Sequence, residues 1–228
     1  TELYNTQFAF AKALEVVAPF YKAHTDNYII GMLYAKTLMH NKQYTTADKL
    51  LATLNIIPFE GATIGHELYR EAKLMQALVQ LNEKNYTAAL NFINEAKLWP
   101  ENLGAGKPYD EDIDIRTENW LAYLCYKNLN NTKAANEMLL AVVNFMPIRS
   151  NTISNFYAGN HLISLWAYAA LNQTSQGAEW IKKQQAKFPD NKIMQWASSS
   201  YQQKKIQPIA IQSEDATVRI IKQLSLTK

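Results

Sequence analysis

Tyr44-Thr45-Thr46-Ala47 followed by Pro58, and Tyr86-Thr87-Ala88-Ala89 followed by Pro100, are two copies of one pattern. The Ala-to-Pro interval is 11 residues in both, and it returns from Ala135 to Pro147 as 12 and from Ala178 to Pro189 as 11. The four alanines stand 42, 46 and 43 residues apart, a period that marks stacked helix-turn-helix units rather than one closed enzyme core. In such a unit the second helix lies close against its neighbour, which demands a small side chain. A proline about three turns later lacks the N–H that would continue the helix. Ala47, Ala89, Ala135 and Ala178 are therefore expected to be buried between helices, with the prolines as stops.

Working outward, the chain reads as helix almost throughout. Residues 4–22 carry Phe8, Ala11, Leu14, Val17, Ala18 and Tyr21 at steps of three and four, one apolar helix face, and are read as the remaining half of a preceding unit. Four pairs follow: 26–40 with 44–56, 64–82 with 86–98, 112–128 with 132–146, and 152–171 with 174–187. A helix at 190–204 is expected to cover the last exposed face, as terminal repeats require. These make residues 1–204 one helical array. Residues 205–228 are read as an extended segment over 205–212 and a short helix, capped by Ser213 ahead of Glu214 and Asp215, through Val218, Ile221 and Leu224.

Composition sets the same bounds. Of 228 residues 48% are apolar, enough for a core without disulfides or metals. The net charge of +3 comes with no block of like charges, which gives nucleic-acid binding little support. No apolar run approaches the ~18 residues that span a bilayer. The sequence assigns no compartment. Cys125, the single cysteine, sits in an apolar helical stretch and reads as a packing thiol.

The pattern resembles the tetratricopeptide repeat, whose second helix carries an Ala with a Tyr three residues before it and a Pro about twelve after it. The resemblance is divergent. The family's inter-helix glycine, five residues before the Ala, corresponds here to Lys42, Lys84, Asn130 and Gln173, and the longer period puts extra residues into the loops between units. Two of those loops, Ile57-Pro58-Phe59-Glu60-Gly61-Ala62 leading to Gly65-His66-Glu67-Leu68-Tyr69-Arg70, and Trp99-Pro100-Glu101-Asn102-Leu103-Gly104-Ala105-Gly106-Lys107-Pro108 running to Arg116, are similar to a family of large bacterial repeat proteins whose defining domain has no assigned function. That resemblance implies a C-terminal piece of a longer protein, in keeping with a start at Thr1. It also implies β-sandwich portions upstream like those of sugar-handling proteins.

Motifs that would carry chemistry fail on spacing. Gly104-Ala105-Gly106-Lys107 lacks the four residues between glycines of a phosphate loop, and Pro108 follows where Ser or Thr is needed. Asp110-Glu111-Asp112-Ile113-Asp114 lacks the ligand spacing of a calcium loop and reads as acids favouring a helix N-terminus. His66 has no second histidine four residues on, and no pair among the histidines has metal-ligand spacing. No metal, no cofactor and no catalytic set is expected.

Binding is then the expected work. In a right-handed all-α solenoid of about four helix pairs plus flanking helices, the first helices line the concave side. That row draws on Tyr28, on His66, Glu67 and Arg70, on Arg116, Asn119, Trp120 and Tyr123, and on Tyr157, Asn160 and His161, with Arg70, Arg116 and Trp120 as anchors because Arg and Trp so often dominate interfaces. The adjoining loop adds Asn102, Gly104, Gly106 and Lys107, and is expected to be ordered on the repeat surface. The expected partner is a protein or an upstream domain of the same polypeptide, with no nucleic acid and no membrane span. The alternative is an accessory helical domain of a carbohydrate-acting enzyme whose active site lies largely elsewhere.

Overall fold

The computed structural model describes residues 1–59, 62–145, 158–187, 189–203 and 216–226. Among these the chain is all-helical, without a strand. Its helices are α1 (Glu2–Thr6), α2 (Phe10–Ala23), α3 (Tyr28–His40), α4 (Tyr44–Leu51), α5 (Ile64–Asn82), α6 (Tyr86–Glu95), α7 (Arg116–Asn128), α8 (Thr132–Val143), α9 (Ala158–Ala170), α10 (Thr174–Lys187), α11 (Lys192–Gln202) and α12 (Ala216–Leu226). Short 3-10 turns cover Glu101–Leu103 and Asp110–Asp112. Among the described residues no helix is long and apolar enough to cross a membrane.

Among the described residues one turn recurs five times. Phe8, Lys42, Lys84, Asn130 and Asn172 have φ between 57° and 62°, the left-handed region that L side chains rarely enter. In each case the next residue's N–H reaches back five residues: Ala9 to Tyr4 O, Gln43 to Leu38 O, Asn85 to Gln80 O, Asn131 to Tyr126 O and Gln173 to Tyr168 O, all at 2.8–2.9 Å. The left-handed residue's own N–H reaches back three, as from Lys42 to Met39 O at 3.0 Å. This pair of bonds is the Schellman arrangement, and it satisfies carbonyls that a helix end would otherwise leave without partners.

Five residues after each left-handed position stands a buried small residue: Ala13, Ala47, Ala89, Ala135 and Gly177. Three alanines of the sequence reading thus hold. The fourth is corrected: Ala178 is exposed, and its neighbour Gly177 takes the packing position, where an added Cβ would come within 3.0 Å of the Tyr168 Cβ. The turn residue of that pair is accordingly Asn172, not Gln173. A second correction concerns residues 4–22, which form α1 and α2 with the Phe8 turn between them. A third concerns the prolines. α4 ends at Leu51 and α6 at Glu95, well before Pro58 and Pro100, which lie in the connecting loops.

The chain divides into two compact units, the first made of Thr1–Ala77 with Asn91–Lys107, the second of Leu78–Leu90 with Pro108–Lys228. In the first unit α2 packs on α1 and α3, and α3 on α4. Val17, Leu38, Leu51, Leu74 and Ile93 are buried there. Lys73 of α5 bridges Asp48 of α4 and Glu95 of α6, each at 2.7 Å. In the second unit α7 packs on α8, α9 on both of them, and α10 and α11 on α9. Its core gathers Leu139 and Val142 of α8, Leu162, Ile163 and Ala167 of α9, Trp196 and Ala197 of α11, and Val218 and Ile221 of α12. Cys125 is buried, which pushes its thiol up to about 11, as suits a packing group.

Tail residues 204–215, including the expected extended stretch and Ser213 cap, lie outside the described residues, as does Pro147; the expected tail helix is α12.

Two substitutions separate the packing role from mere composition. Ala89→Leu is expected to overpack its site and cost roughly 1–3 kcal/mol in urea denaturation, whereas Ala178→Leu on the exposed side is expected to stay within about 0.5 kcal/mol of the parent. Equal midpoints for the two variants contradict this assignment. Lys84→Gly should stabilise by up to about 1 kcal/mol, because glycine enters the left-handed region without a steric penalty.

Candidate functional site

The residues expected to line a binding face fall into two groups, one in each unit. In the first unit the start of α5 meets the loop of residues 97–107. His66 is buried, stacks on Trp99 with ring centroids 3.5 Å apart, and its Nε2 lies 3.2 Å from the Leu98 carbonyl. Burial, reinforced by the Arg70 charge, lowers its pKa to about 4, so the ring is neutral at pH 7. Glu67 is exposed and Arg70 half-buried.

The loop itself is ordered by its sequence. Asn102 donates through Nδ2 to the carbonyls of Leu51 and Leu54, capping the end of α4 from a distance, and its own carbonyl accepts from Ile56 N at 2.8 Å. Leu103 is buried. Gly104 takes φ of 71° where an added Cβ would stand 2.8 Å from the Ile56 carbonyl oxygen. Asn102 and Gly104 therefore position the loop, while Gly106 and Lys107 are exposed. Lys97, Leu98, Trp99, Glu101, Ala105, Gly106 and Lys107 line a shallow open depression of about 380 Å³. Large apolar side chains stand exposed on the same unit: Ile57 at 67%, Phe59 at 59%, and Ile64 and Leu98 at 57%. Sequence reasoning passed over these four, and their apolar character at loop and helix-start positions was the available signal.

In the second unit the expected face is largely buried. Arg116 forms a bidentate pair with Asp114 and donates through Nη1 to Ser164 Oγ at 3.0 Å, while Phe145 lies under its guanidinium, 5.0 Å from the ring centroid. Asn160 Nδ2 donates to Asp114 Oδ2 at 2.8 Å, and its Oδ1 accepts from Thr117 Oγ1 at 2.6 Å. Thr217 of α12 adds a hydroxyl 3.2 Å from Thr117 Oγ1 and 3.4 Å from Asn160 Oδ1. Burial alone would raise the Asp114 carboxyl, but the Arg116 charge and the hydrogen bonds outweigh it and hold the group below the usual range. Of the acidic run, Asp114 reaches the first turn of α7, accepting from Arg116 N, whereas Asp110–Asp112 form a 3-10 turn.

Asn119 and Tyr123 are buried as well. Trp120 is partly buried and packs against Tyr123 and Trp166, with centroids 5.0 and 5.6 Å away. Arg116 is thus not an exposed interface anchor: its charge is already neutralised inside the unit. Tyr157 lies outside the described residues.

His161 and Ser164 share a face of α9 with Asp114 nearby, a set that could suggest nucleophilic catalysis. The bonding is wrong for it. Ser164 Oγ is held by Arg116, and neither ring nitrogen of the buried His161 has a hydrogen-bond partner among the described residues. Burial first, and the Arg116 charge second, lower the His161 pKa to about 3. Among the described residues no cluster of three or more His, Cys, Asp and Glu side chains is placed to hold a metal ion.

No family model, no curated protein and no solved structure matches the chain.

Two measurements follow from this chemistry. Asp114→Ala leaves the Arg116 charge buried without its carboxylate and is expected to destabilise by about 3–5 kcal/mol; a loss below about 1 kcal/mol would show the pair to be solvated. His66 and His161 take up protons in the unfolded chain near pH 6.5 but in the folded chain only near pH 4 and 3. Their contribution is therefore complete above pH 6.5 and lost as the pH falls through that window, by about 1.4 kcal/mol per unit for each histidine. His161→Phe is expected to flatten the fall of stability between pH 6 and 4, and an unchanged slope contradicts a buried neutral ring.

Proposed function

We propose that the chain is a divergent tetratricopeptide-like helical-repeat scaffold that mediates protein–protein or inter-domain contact and has no turnover of its own. The observation that carries this reading is the turn that recurs at Phe8, Lys42, Lys84, Asn130 and Asn172, each with its buried small residue five positions on. Repetition of one supersecondary unit favours a binding surface built from equivalent positions of successive units over a single enclosed pocket. The first two turns are 34 residues apart, the usual tetratricopeptide period, and later ones are longer because of inserted loops.

The contact surface of this reading is the loop end of the first unit, where Ile57, Phe59, Ile64 and Leu98 stand exposed on the unit that also carries the depression beside Trp99. Exposed large apolar side chains on an ordered loop framework are what a partner would bury, and Glu67 and Lys107 supply polar positions on the same unit. The second-unit residues Arg116, Asn119 and Tyr123 act in this reading by holding the fold.

Affinity capture from cells of the source organism tests the proposal, using the parent chain, Phe59→Asp with Leu98→Asp, and Leu140→Asp on the exposed side of α8 as a control. The double variant is expected to lose a specific partner about tenfold or more while the control retains it, with all three chains equally helical by circular dichroism. Equal recovery rejects this surface, and turnover of any substrate by the purified chain overturns the scaffold reading.

A further inference from the structure

The five recurring turns give the helix pairs a common numbering, and the first pair departs from the rest. Eight places after the turn residue stand Val16 in α2 and, in the later pairs, Leu50, Phe92, Met138 and Trp180; the last four are half-buried. Twelve places after it stand Phe20 and then Leu54, Ala96 and Val142, which are buried, and Gln184, which is half-buried. In α2 both places are apolar but open: Val16 is 47% and Phe20 55% exposed. Val17, nine places after its turn, is buried like its counterparts Leu51, Ile93, Leu139 and Ile181, so α2 itself is seated in the ordinary way.

In the later pairs these places meet the first helix of the same pair, at the residue eleven places before the turn. Gly31 of α3 lies against Leu54, whose side chain leaves no room for a Cβ there. Lys73 of α5 reaches over Phe92, 5.9 Å from its ring centroid, and His161 of α9 packs on Trp180 with centroids 5.1 Å apart. α1 cannot do the same for α2. It has 5 residues where α3, α7 and α9 have 13 and α5 has 19, and it fills only the places from six to two before the Phe8 turn. The place eleven before that turn falls four residues ahead of Thr1. Val16 and Phe20 thus face a first-helix track that α1 occupies in part. The direction of that track is set, because Asn5 of α1 donates through Nδ2 to Thr37 Oγ1 of α3 at 3.0 Å, a buried bond.

We infer that Val16 and Phe20 form a seat for two further turns of helix in line with α1, and that the occupant is a helical segment of the same polypeptide joined to α1. Its chemistry follows from its counterparts. Ten places before the turn stand Met32, Leu74, Trp120 and Leu162, which calls for an apolar side chain three residues ahead of Thr1. Eleven before it stand Gly31, Lys73, Asn119 and His161, which calls for a small or polar one beside it. Seven residues reach fourteen places before the turn, where α3, α7 and α9 all start. Two apolar side chains fall far short of the ~800 Å² per partner that holds separate chains together, whereas a segment joined to α1 bears no cost of association. The inference rests on the helical-repeat reading and gives it an inter-domain contact, at a surface other than that of Phe59 and Leu98.

The test extends the full chain. A copy of residues 70–76, which fill the places from fourteen to eight before the Lys84 turn, is joined directly ahead of Thr1, so that the copies of Lys73 and Leu74 stand over the seat. The control carries one alanine between the graft and Thr1, which rotates the graft by about 100° around the helix axis. Hydroxyl-radical footprinting reads Phe20. In the parent chain its oxidation is expected to match that of exposed Phe59, in the grafted chain to fall to that of half-buried Phe92, and in the control to stay at the parent level. Phe20→Ser is expected to leave the urea midpoint of the parent unchanged and to lower that of the grafted chain. A further chain, extended instead by the residues its own reading frame encodes ahead of Thr1, tests the occupant and is expected to protect Phe20 as the graft does. An unprotected Phe20 in the grafted chain, or equal protection in graft and control, overturns the seat. Protection by the graft but not by the natural extension overturns the occupant. None of those outcomes touches partner capture through Phe59 and Leu98, so the two readings fail separately.

Discussion

A backbone turn in the left-handed region, with a small residue five positions later, is the constraint on which this structure rests. A side-chain-bearing residue there costs about 1–2 kcal/mol, yet Phe8, Lys42, Lys84, Asn130 and Asn172 all adopt it. The cost is offset by two hydrogen bonds that satisfy terminal carbonyls of the preceding helix, each contributing about 1 kcal/mol net. With the reversal fixed, the following helix returns so close that only Ala or Gly fits at the contact, as the 3.0 Å approach between Tyr168 and a Cβ built on Gly177 illustrates. The geometry of the pair follows from those few residues, and the other side chains of each helix are placed as a consequence.

That placement explains why polar residues occur inside the second unit. Asp114, Arg116, Thr117, Asn160 and Ser164 are each nine-tenths or more buried and form one connected network. A buried ion pair adds little net stability against an apolar replacement, but removal of one member is costly. The network therefore acts to align α7 with α9. In the first unit the corresponding work falls to a loop: Asn102 caps α4 through its side chain, and Gly104 closes against Ile56. Residues that looked like binding groups in sequence are, at these positions, the fixtures that leave Ile57, Phe59, Ile64 and Leu98 outside.

Much of the fold was legible in the Ala-to-Pro interval, because Ala47, Ala89 and Ala135 are packing residues in fact. The interval misplaced the fourth contact because Gly177 and Ala178 are adjacent small residues, and only the count from the turn at Asn172 chooses between them. It missed the turn at Phe8 entirely. No proline follows Ala13 at the expected distance, Pro19 lies inside α2, and a phenylalanine is an unusual occupant of the left-handed region. The candidate site was less legible. Arg and Trp at first-helix positions resemble interface anchors, but whether Arg116 meets a partner or Asp114 depends on a side-chain network drawn from three helices, which no local pattern encodes.

Native-state hydrogen exchange at the five reach-back amides tests the central claim most directly. The amides of Ala9, Gln43, Asn85, Asn131 and Gln173 stand just past a helix end, where an unstructured connection would exchange at nearly the rate of an open chain. If the turn is the common constraint, all five are protected together, well above the amides of exposed loop residues such as Gly106 and Lys107. Open-chain exchange rates at these five positions, with the flanking helices still protected, would contradict it.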